Sequence, residues 1–290
     1  MYVSKIKIIS DRPIPLVEDT AKGLEDLGFF ITEKDPEVLV YFNSISSVIR
    51  DISKKITSRE KDPVVIAVTG DGSYVIPLIN ERRGGSFIGG IIADMLESQL
   101  ILTSVTAQMG IYSVEEFAWI NGLVIRDGNI EELDRKQIEL GKLKVFTKLE
   151  LRYPPGFERS SCDEADIVVG EECRKDGKIL MTPLNFVIGI GYNRSTPSEA
   201  LYYSIVSTLR SIGIFTRNLN FIVTSKHKKG DEKIERVARS FNSTVIYADW
   251  EKSDIGEIEC DPSLDFLKVK LLLKKTKRAY GVVTCLGVEA

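Results

Sequence analysis

Apolar and polar positions in the first third of the chain switch repeatedly between the period of a strand and that of a helix. Residues Tyr2 to Ile9 alternate, whereas apolar residues from Val17 to Leu27 recur at helical spacing before Gly28. The β-branched run Val64 to Val68 is typical of a buried strand. The pattern predicts βα units and a largely parallel sheet.

The same pattern predicts the elements that follow. They are strands over Val38 to Phe42 and Leu100 to Val105, a hairpin through Gly70-Asp71-Gly72 into Tyr74 to Ile76, and helices over Ser44 to Ile56, from Ser86 and over Val114 to Ile120. Pro77 should end the hairpin strand or place it at an edge. Glu115 and Glu116 are expected to face solvent on their helix, with an acid or base role as the minority alternative.

The middle of the chain is a connector or a small subdomain. Asn129 to Leu143 is highly charged with helical spacing, and Tyr153 to Phe157 breaks the chain. Two short strands, Asp166 to Val169 and Ile179 to Met181, are predicted with a turn at Gly177 between them.

A second α/β domain follows. Phe186 to Gly191 indicates a strand that ends in glycines, and a capping box should start the next helix with Thr196 as the N-cap, Pro197 as the first helical residue and Glu199 as partner. Further strands are predicted at Phe221 to Val223, Thr244 to Tyr247 and Gly281 to Leu286, and helices at Glu232 to Phe241 and Leu264 to Leu273.

The predicted class is α/β, with two three-layer domains whose sheets are mainly parallel, joined by a small middle segment. We place the N-terminal domain at residues 1–128, the middle segment at 129–184 and the C-terminal domain at 185–290. A length of 290 residues, 43% of them hydrophobic, is sufficient for this organisation.

Composition excludes several classes of function. A net charge of −3 gives no general attraction to nucleic acid or to an anionic membrane. The sequence has no apolar run of membrane-spanning length and no pattern of a signal peptide at its start, so we expect a cytoplasmic protein. Four scattered cysteines and a single histidine, His227, do not have the spacing of a structural zinc site. His227 lies in a charged segment that we interpret as a solvated loop.

Glycines and arginines follow two of the predicted strands, at Arg82-Arg83-Gly84-Gly85 and at Gly189 to Arg194. Glycine allows close backbone approach, and helix amides with arginine suit an anion. A dinucleotide fingerprint is not supported at the second position, because its third glycine is replaced by Arg194. An anion-binding loop and a plain strand-to-helix turn both remain open there. The sequence has no P-loop motif, so phosphoryl transfer is not supported.

The order and spacing of these segments over nearly the whole chain resemble the cobalt-precorrin-5A hydrolase (CbiG) family. The matching segments are Val38 to Phe42 with Arg50, Lys61 to Val65, Asp71-Gly72, Val75 to Leu78, Gly84-Gly85, Leu102 to Thr106, Gly110, Gly189-Ile190-Gly191, Lys228, Asp231 and Val283-Thr284. The chain departs from the family pattern at Arg82, Phe87, Ala107 and Tyr192, which replace a histidine, an asparagine, an aspartate and a cysteine.

The resemblance implies an enzyme of anaerobic cobalamin biosynthesis. It would open the δ-lactone of cobalt-precorrin-5A and release acetaldehyde to give cobalt-precorrin-5B. Lactone opening needs a base for water and donors for the developing oxyanion. We assign these catalytic roles to Glu81 and Arg82. The expected substrate-binding residues are Arg50, Asp62, Arg83, Gly84, Gly85, Ser86, Thr106, Gly189, Gly191, Arg194 and Thr196.

No cofactor or protein-bound metal is expected, because the cobalt would arrive inside the substrate. The substrate is expected in a cleft between the two α/β halves. The expected partner is the cobalt-precorrin itself, with no nucleic acid and no membrane. Contact with neighbouring cobalamin-pathway enzymes and a homodimer are left open. The alternative function is a non-enzymatic corrinoid-binding or scaffold protein of the same pathway, and a phosphate- or nucleotide-binding regulatory module is a third hypothesis.

Overall fold

The computed structural model describes residues 2–59, 61–170, 173, 178–215, 219–248, 269–275 and 281–289. These form two compact units: unit 1 comprises 1–23 and 31–183, and unit 2 comprises 24–30 and 184–290. Three mostly parallel five- or six-stranded sheets alternate with helices. The predicted α/β class is confirmed, and the middle segment contributes four of the five strands of one sheet.

The first sheet of unit 1 has six strands in the order β2-β1-β3-β4-β5-β6. The strands are β1 (Lys5–Ile9), β2 (Phe30–Ile31), β3 (Val38–Tyr41), β4 (Val64–Val68), β5 (Tyr74–Ile79) and β6 (Gln99–Leu100). The helices of this region are α1 (Pro15–Leu27), α2 (Ile45–Ile52), α3 (Gly85–Leu96) and α4 (Val105–Gln108). Every residue of β3 and β4 is buried, as expected for central parallel strands covered on both faces.

Of the two alternatives for Pro77, the structure shows the edge position and not the end of the strand, whereas the prediction for β6 needs correction. Strand β5 continues past Pro77 to Ile79, and Pro77 pairs with Ile66 of β4. Proline is tolerated because β6 pairs only with Tyr74 and Val75, so β5 has no second neighbour there. The strand predicted over Leu100 to Val105 is wrong beyond its first residue, since the Ser104 side chain caps α4 instead.

The second sheet of unit 1 has five strands in the order β7-β11-β10-β8-β9. They are β7 (Leu123–Asp127), β8 (Leu143–Thr147), β9 (Phe157–Arg159), β10 (Ile167–Val169) and β11 (Ile179–Pro183), with helices α5 (Val114–Ile120) and α6 (Ile130–Leu140). Phe117 of α5 is fully buried in the core of this sheet. The two predicted short strands are confirmed as β10 and β11, whereas the predicted turn at Gly177 lies outside the described residues. A disulfide joins Cys162 to Cys173.

The sheet of unit 2 has the order β14-β13-β12-β16-β15. Its strands are β12 (Phe186–Gly191), β13 (Phe221–Ser225), β14 (Thr244–Ala248), β15 (Lys270–Lys275) and β16 (Val283–Val288), with helices α7 (Ser198–Arg210) and α8 (Glu232–Ser240). The helix predicted over Leu264 to Leu273 is wrong from Lys270 onward, because antiparallel pairing with β16 overrides the helical propensity of the leucines. Residues 264–268 lie outside the described part. The domain boundaries that we expected stay a prediction.

Candidate functional site

The glycine loop, Asn80 to Ser86, connects β5 to α3 through a single 3-10 turn at Glu81–Arg83. Two residues in left-handed backbone shape it, Asn80 with φ 56° and Gly84 with φ 117°. The Asn80 amide donates to the carbonyls of Asp62, at 2.7 Å, and Pro63. A Cβ on Gly84 would lie 3.0 Å from the Trp119 ring, and one on Gly85 would lie 3.0 Å from the Asn80 carbonyl. Packing within the protein therefore accounts for both glycines.

Glu81 anchors the loop to the start of α4. Its carboxylate accepts hydrogen bonds from the backbone N–H of Thr103 at 2.8 Å, the Thr103 hydroxyl at 3.1 Å and the backbone N–H of Ser104 at 3.1 Å. Burial opposes ionisation, but the bonds from Ser104 and Thr103 outweigh it and lower the pKa of Glu81. A carboxylate with a lowered pKa is a weak proton acceptor, so the contacts favour a structural role for Glu81.

Arg82 turns towards the protein interior. Its guanidinium pairs with Asp134 of α6 at 2.7 Å, and both side chains are largely buried. Burial opposes its charge, but the fields of Glu115 and Asp134 raise the pKa of Arg82. This pairing occupies the side chain to which the sequence assigned an oxyanion role.

Glu115 and Glu116 do not face solvent as predicted, because α5 lies against the glycine loop. Glu116 forms a capping box with Ser113 and accepts the Ser86 hydroxyl at 2.7 Å. Burial raises the pKa of Glu116 above its ordinary value. The positive charge of Arg82 is therefore stabilised by three neighbouring carboxylates, those of Asp134, Glu115 and Glu116.

Arg83 points in a different direction from Arg82 and lines a pocket. It donates to the backbone carbonyl of Arg59, and the Arg59 guanidinium pairs with Glu115. We call this cavity of about 780 Å³ the Trp119 pocket, and its wall includes Tyr2, Arg59, Arg83, Glu115, Trp119 and the turn from Asp127 to Glu131. Sequence reasoning named only Arg83 among these as a binding residue. No local motif marks Arg59 or Trp119.

The other predicted binding residues of unit 1 lie outside the glycine loop, and they are Arg50, Asp62 and Thr106. Arg50 lies exposed in the last turn of α2. Asp62 accepts from the backbone N–H of Thr57 at 2.7 Å, which lowers the pKa of this exposed carboxyl. Thr106 is buried in α4, and its hydroxyl lies 3.4 Å from that of Ser104. The structure brings Glu81 to Ser86 together with the start of α4.

In unit 2, Gly189 and Gly191 are buried within β12 rather than in a loop beyond it. Gly189 pairs with Val223 of β13 and Cys285 of β16, and Gly191 pairs with Val283. The strand predicted from Phe186 to Gly191 is confirmed with its bounds, and sheet pairing continues on both sides of Gly189. The predicted capping box is wrong, because α7 begins at Ser198 and its N-cap Pro197 makes no side-chain cap.

Two lysines hold the backbone of the following loop, 192–197. Lys228 donates to the Tyr192 carbonyl at 2.7 Å, and Lys233 donates to the carbonyls of Arg194 at 2.5 Å and Thr196 at 3.0 Å. Thr196 is buried, whereas Arg194 is exposed. His227 is exposed in a 3-10 turn after β13.

A family model described as "Cobalamin synthesis G N-terminal" matches residues 32–107. This region contains the glycine loop and α4. A protein of Methanocaldococcus jannaschii named "Probable cobalt-precorrin-5A hydrolase" is 22% identical over 298 residues, covering 92% of this chain and 90% of the relative. A "Cobalt-precorrin-5A hydrolase" of Priestia megaterium is 20% identical over 234 residues, covering 72% of this chain and 63% of the relative.

A crystal structure of a cobalamin biosynthesis protein G homolog from Sulfolobus solfataricus has the same fold. It superimposes with a TM-score of 0.64 at 16% identity, covering 100% of this chain and 98% of the other. Residues 32–107 match the N-terminal model of the CbiG family, and the chain as a whole resembles cobalt-precorrin-5A hydrolases at 20–22% identity. The match of the family model covers the predicted residues from Arg50 to Thr106 but none of those in unit 2.

Two kinds of feature are absent from the described residues. No three or more His, Cys, Asp and Glu side chains there are grouped so that they could hold a metal ion. No helix in the same residues has the length and apolarity needed to cross a membrane.

Proposed function

We propose that the chain is a cobalt-precorrin-5A hydrolase that opens the δ-lactone of its substrate and releases acetaldehyde. The observation that carries this proposal is the similarity to the Methanocaldococcus jannaschii protein, which extends over 92% of this chain and 90% of that protein. Similarity over most of the length of both proteins supports a shared activity better than a match to one domain.

The reaction places two demands on the site. A base must take a proton from water as it attacks the lactone carbonyl, and donors must stabilise the oxyanion that develops. Glu81 and Arg82 stay predictions for these roles. Glu81 already accepts hydrogen bonds from Thr103 and Ser104. Arg82 already pairs with Asp134. A catalytic role would therefore require the substrate to replace those partners.

The cobalt is proposed to enter as part of the substrate, with no cofactor resident in the protein. A cytoplasmic location, contacts with neighbouring pathway enzymes and a homodimer stay predictions. The arginines Arg83 and Arg194 support binding of a substrate rich in acidic side chains, since guanidinium pairs well with carboxylate.

A test of the activity is acetaldehyde release from purified protein and cobalt-precorrin-5A under anaerobic conditions. Acetaldehyde is measured by coupling to alcohol dehydrogenase and NADH, and the corrinoid product is identified by its mass. We expect stoichiometric acetaldehyde and a product that has lost two carbons. Protein denatured by heat provides the background rate, and no acetaldehyde above it would refute the hydrolase.

The second candidate, a corrinoid carrier, is favoured by the family positions that this chain has changed. Phe87, in place of asparagine, packs near the Trp119 ring with centroids 6.1 Å apart, and the Tyr192 hydroxyl donates to Asp231 at 3.1 Å. Both residues thus make structural contacts in this chain. A carrier would bind the cobalt-precorrin and return it unchanged in the same assay.

A further inference from the structure

The Trp119 pocket is large enough for a ligand, and its described lining residues belong to unit 1. Its volume of about 780 Å³ lies within the range of small-molecule sites, roughly 300 to 1,000 Å³. It is bounded by α5, by β7 and by the residues that begin α6.

One wall of the pocket is apolar and aromatic. Trp119 is largely buried, and its ring lies 4.5 Å from that of Tyr2, centroid to centroid. Ala118, Leu123 and Ile125 extend this wall. Tyr2, Trp119 and Leu123 are each less than a tenth exposed, so this wall offers a narrow apolar strip that suits the edge of a conjugated ring system.

Two arginines contribute positive charge to the same cavity. The Arg83 guanidinium donates to the Arg59 carbonyl, and one nitrogen of Arg59 pairs with Glu115. A guanidinium has five N–H donors, so these contacts leave both side chains with donors for a ligand carboxylate. Arg82 does not line the pocket, because it pairs with Asp134.

Glu115 provides a second, independent indication of a ligand. Its side chain is nine-tenths buried, and Oε1 pairs with Arg59. The other oxygen, Oε2, is buried and has no hydrogen-bond partner among the described residues. A buried carboxylate oxygen without a donor is costly, so the occupant of the pocket is expected to bring a hydroxyl or N–H to it.

We propose that the Trp119 pocket binds one edge of a polycarboxylated tetrapyrrole. One edge of the ring contacts the exposed margin of Trp119, acidic side chains pair with Arg59 and Arg83, and a hydroxyl or N–H donates to Glu115 Oε2. The carboxylates of Asp127 and Glu131 also line the pocket. Since they repel other carboxylates, the acidic side chains of the ligand must lie at Arg59 and Arg83, with its donors towards Asp127 and Glu131. The identity of the natural ligand, a cobalt-precorrin, rests on the proposed function.

Tryptophan fluorescence provides a direct test, because the sequence contains only two tryptophans. In a Trp250→Phe background, Trp119 is the reporter, and uroporphyrin III, with eight carboxylates, is the probe. We expect saturable quenching of Trp119. Arg59→Gln and Arg83→Gln should each weaken binding about tenfold or more, because each removes a charge-assisted contact.

Arg135→Gln is the matched control, since it removes the same charge from an exposed position on α6 outside the pocket. It should bind uroporphyrin like the parent. Circular dichroism checks that each variant is folded. The pocket assignment is overturned if uroporphyrin does not quench Trp119, or if the Arg59 and Arg83 variants bind as tightly as the Arg135 variant.

The acetaldehyde assay separates this proposal from the function on which it rests. Turnover by the parent protein, with equal substrate affinity in the Arg83→Gln and Arg135→Gln variants, would refute the pocket and leave the hydrolase intact. Quenching of Trp119 with the expected loss in the arginine variants, but without acetaldehyde, would support the pocket and refute the hydrolase.

Discussion

The glycine loop of unit 1 and the 192–197 loop of unit 2 look alike in sequence but differ in what holds them. Each follows a strand, contains arginine and leads into a helix. In unit 1, Arg82 turns inward to Asp134 and Glu81 binds the start of α4. In unit 2, Lys228 and Lys233 hold backbone carbonyls, and Arg194 is left exposed.

The difference teaches that an arginine after a glycine strand is not by itself a sign of ligand binding. Of two adjacent arginines in unit 1, Arg82 completes a buried ion pair and Arg83 lines a cavity. Charge buried in unit 1 must be compensated, whereas the unit 2 loop is fixed by hydrogen bonds at its rim. The two loops should therefore respond differently to loss of a single contact.

The largest effect is expected from Asp134→Ala. Removing this carboxylate leaves Arg82 largely buried without its direct partner, and breaking such a pair costs about 3 kcal/mol of the free energy of unfolding. Urea unfolding followed by Trp119 fluorescence in the Trp250→Phe background reports on unit 1.

A paired substitution is the control for this prediction. Arg82→Met together with Asp134→Leu removes both charges and should recover most of the loss, since apolar residues of similar volume replace a buried ion pair well. If Asp134→Ala costs less than about 1 kcal/mol, the pair behaves like a surface salt bridge and the contrast between the loops fails.

A smaller effect is expected in unit 2 from Lys233→Met. This change removes the donor to the Arg194 and Thr196 carbonyls, with a cost of about 1 kcal/mol, because the exposed side of the loop lets water replace part of the bonding. Lys229→Met, at an exposed lysine nearby, is the matched control and should change stability little. Thermal unfolding by circular dichroism compares them, and equal melting temperatures would contradict a role for Lys233 in holding the loop.

Local sequence predicted those parts of the fold whose stability is local. Strand β4 was predicted with its observed bounds, since a run of β-branched residues has few alternatives. The helix that begins at the glycine loop was predicted from its apolar spacing. Strand β15 was missed because its identity depends on pairing with β16 rather than on its own residues.

The candidate site could be predicted only in part, because its contacts join distant segments. Asp134, the partner of Arg82, lies 52 positions further along the chain. Glu115 and Glu116 were expected to face solvent, and nothing in their local sequence shows that α5 lies against the glycine loop. Arg59 and Trp119 enter the pocket through the same tertiary packing.

The smallest expected effect is on the pH dependence of stability, which should have opposite directions for two carboxylates at the glycine loop, Glu81 and Glu116. The lowered pKa of Glu81 means that its ionised form favours the fold, so its contribution is present above about pH 4.3 and is lost as the pH falls through the folded-state pKa. The raised pKa of Glu116 has the opposite consequence: stability falls as the pH rises from about 4.3 through its folded-state pKa.

The melting temperature of the parent minus that of Glu81→Gln should therefore increase with pH, and the same difference for Glu116→Gln should decrease. Glu139→Gln, at an exposed position of α6, gives the background for loss of one charge. If the two melting-temperature differences change with pH in the same direction, the opposite pKa shifts of Glu81 and Glu116 are contradicted.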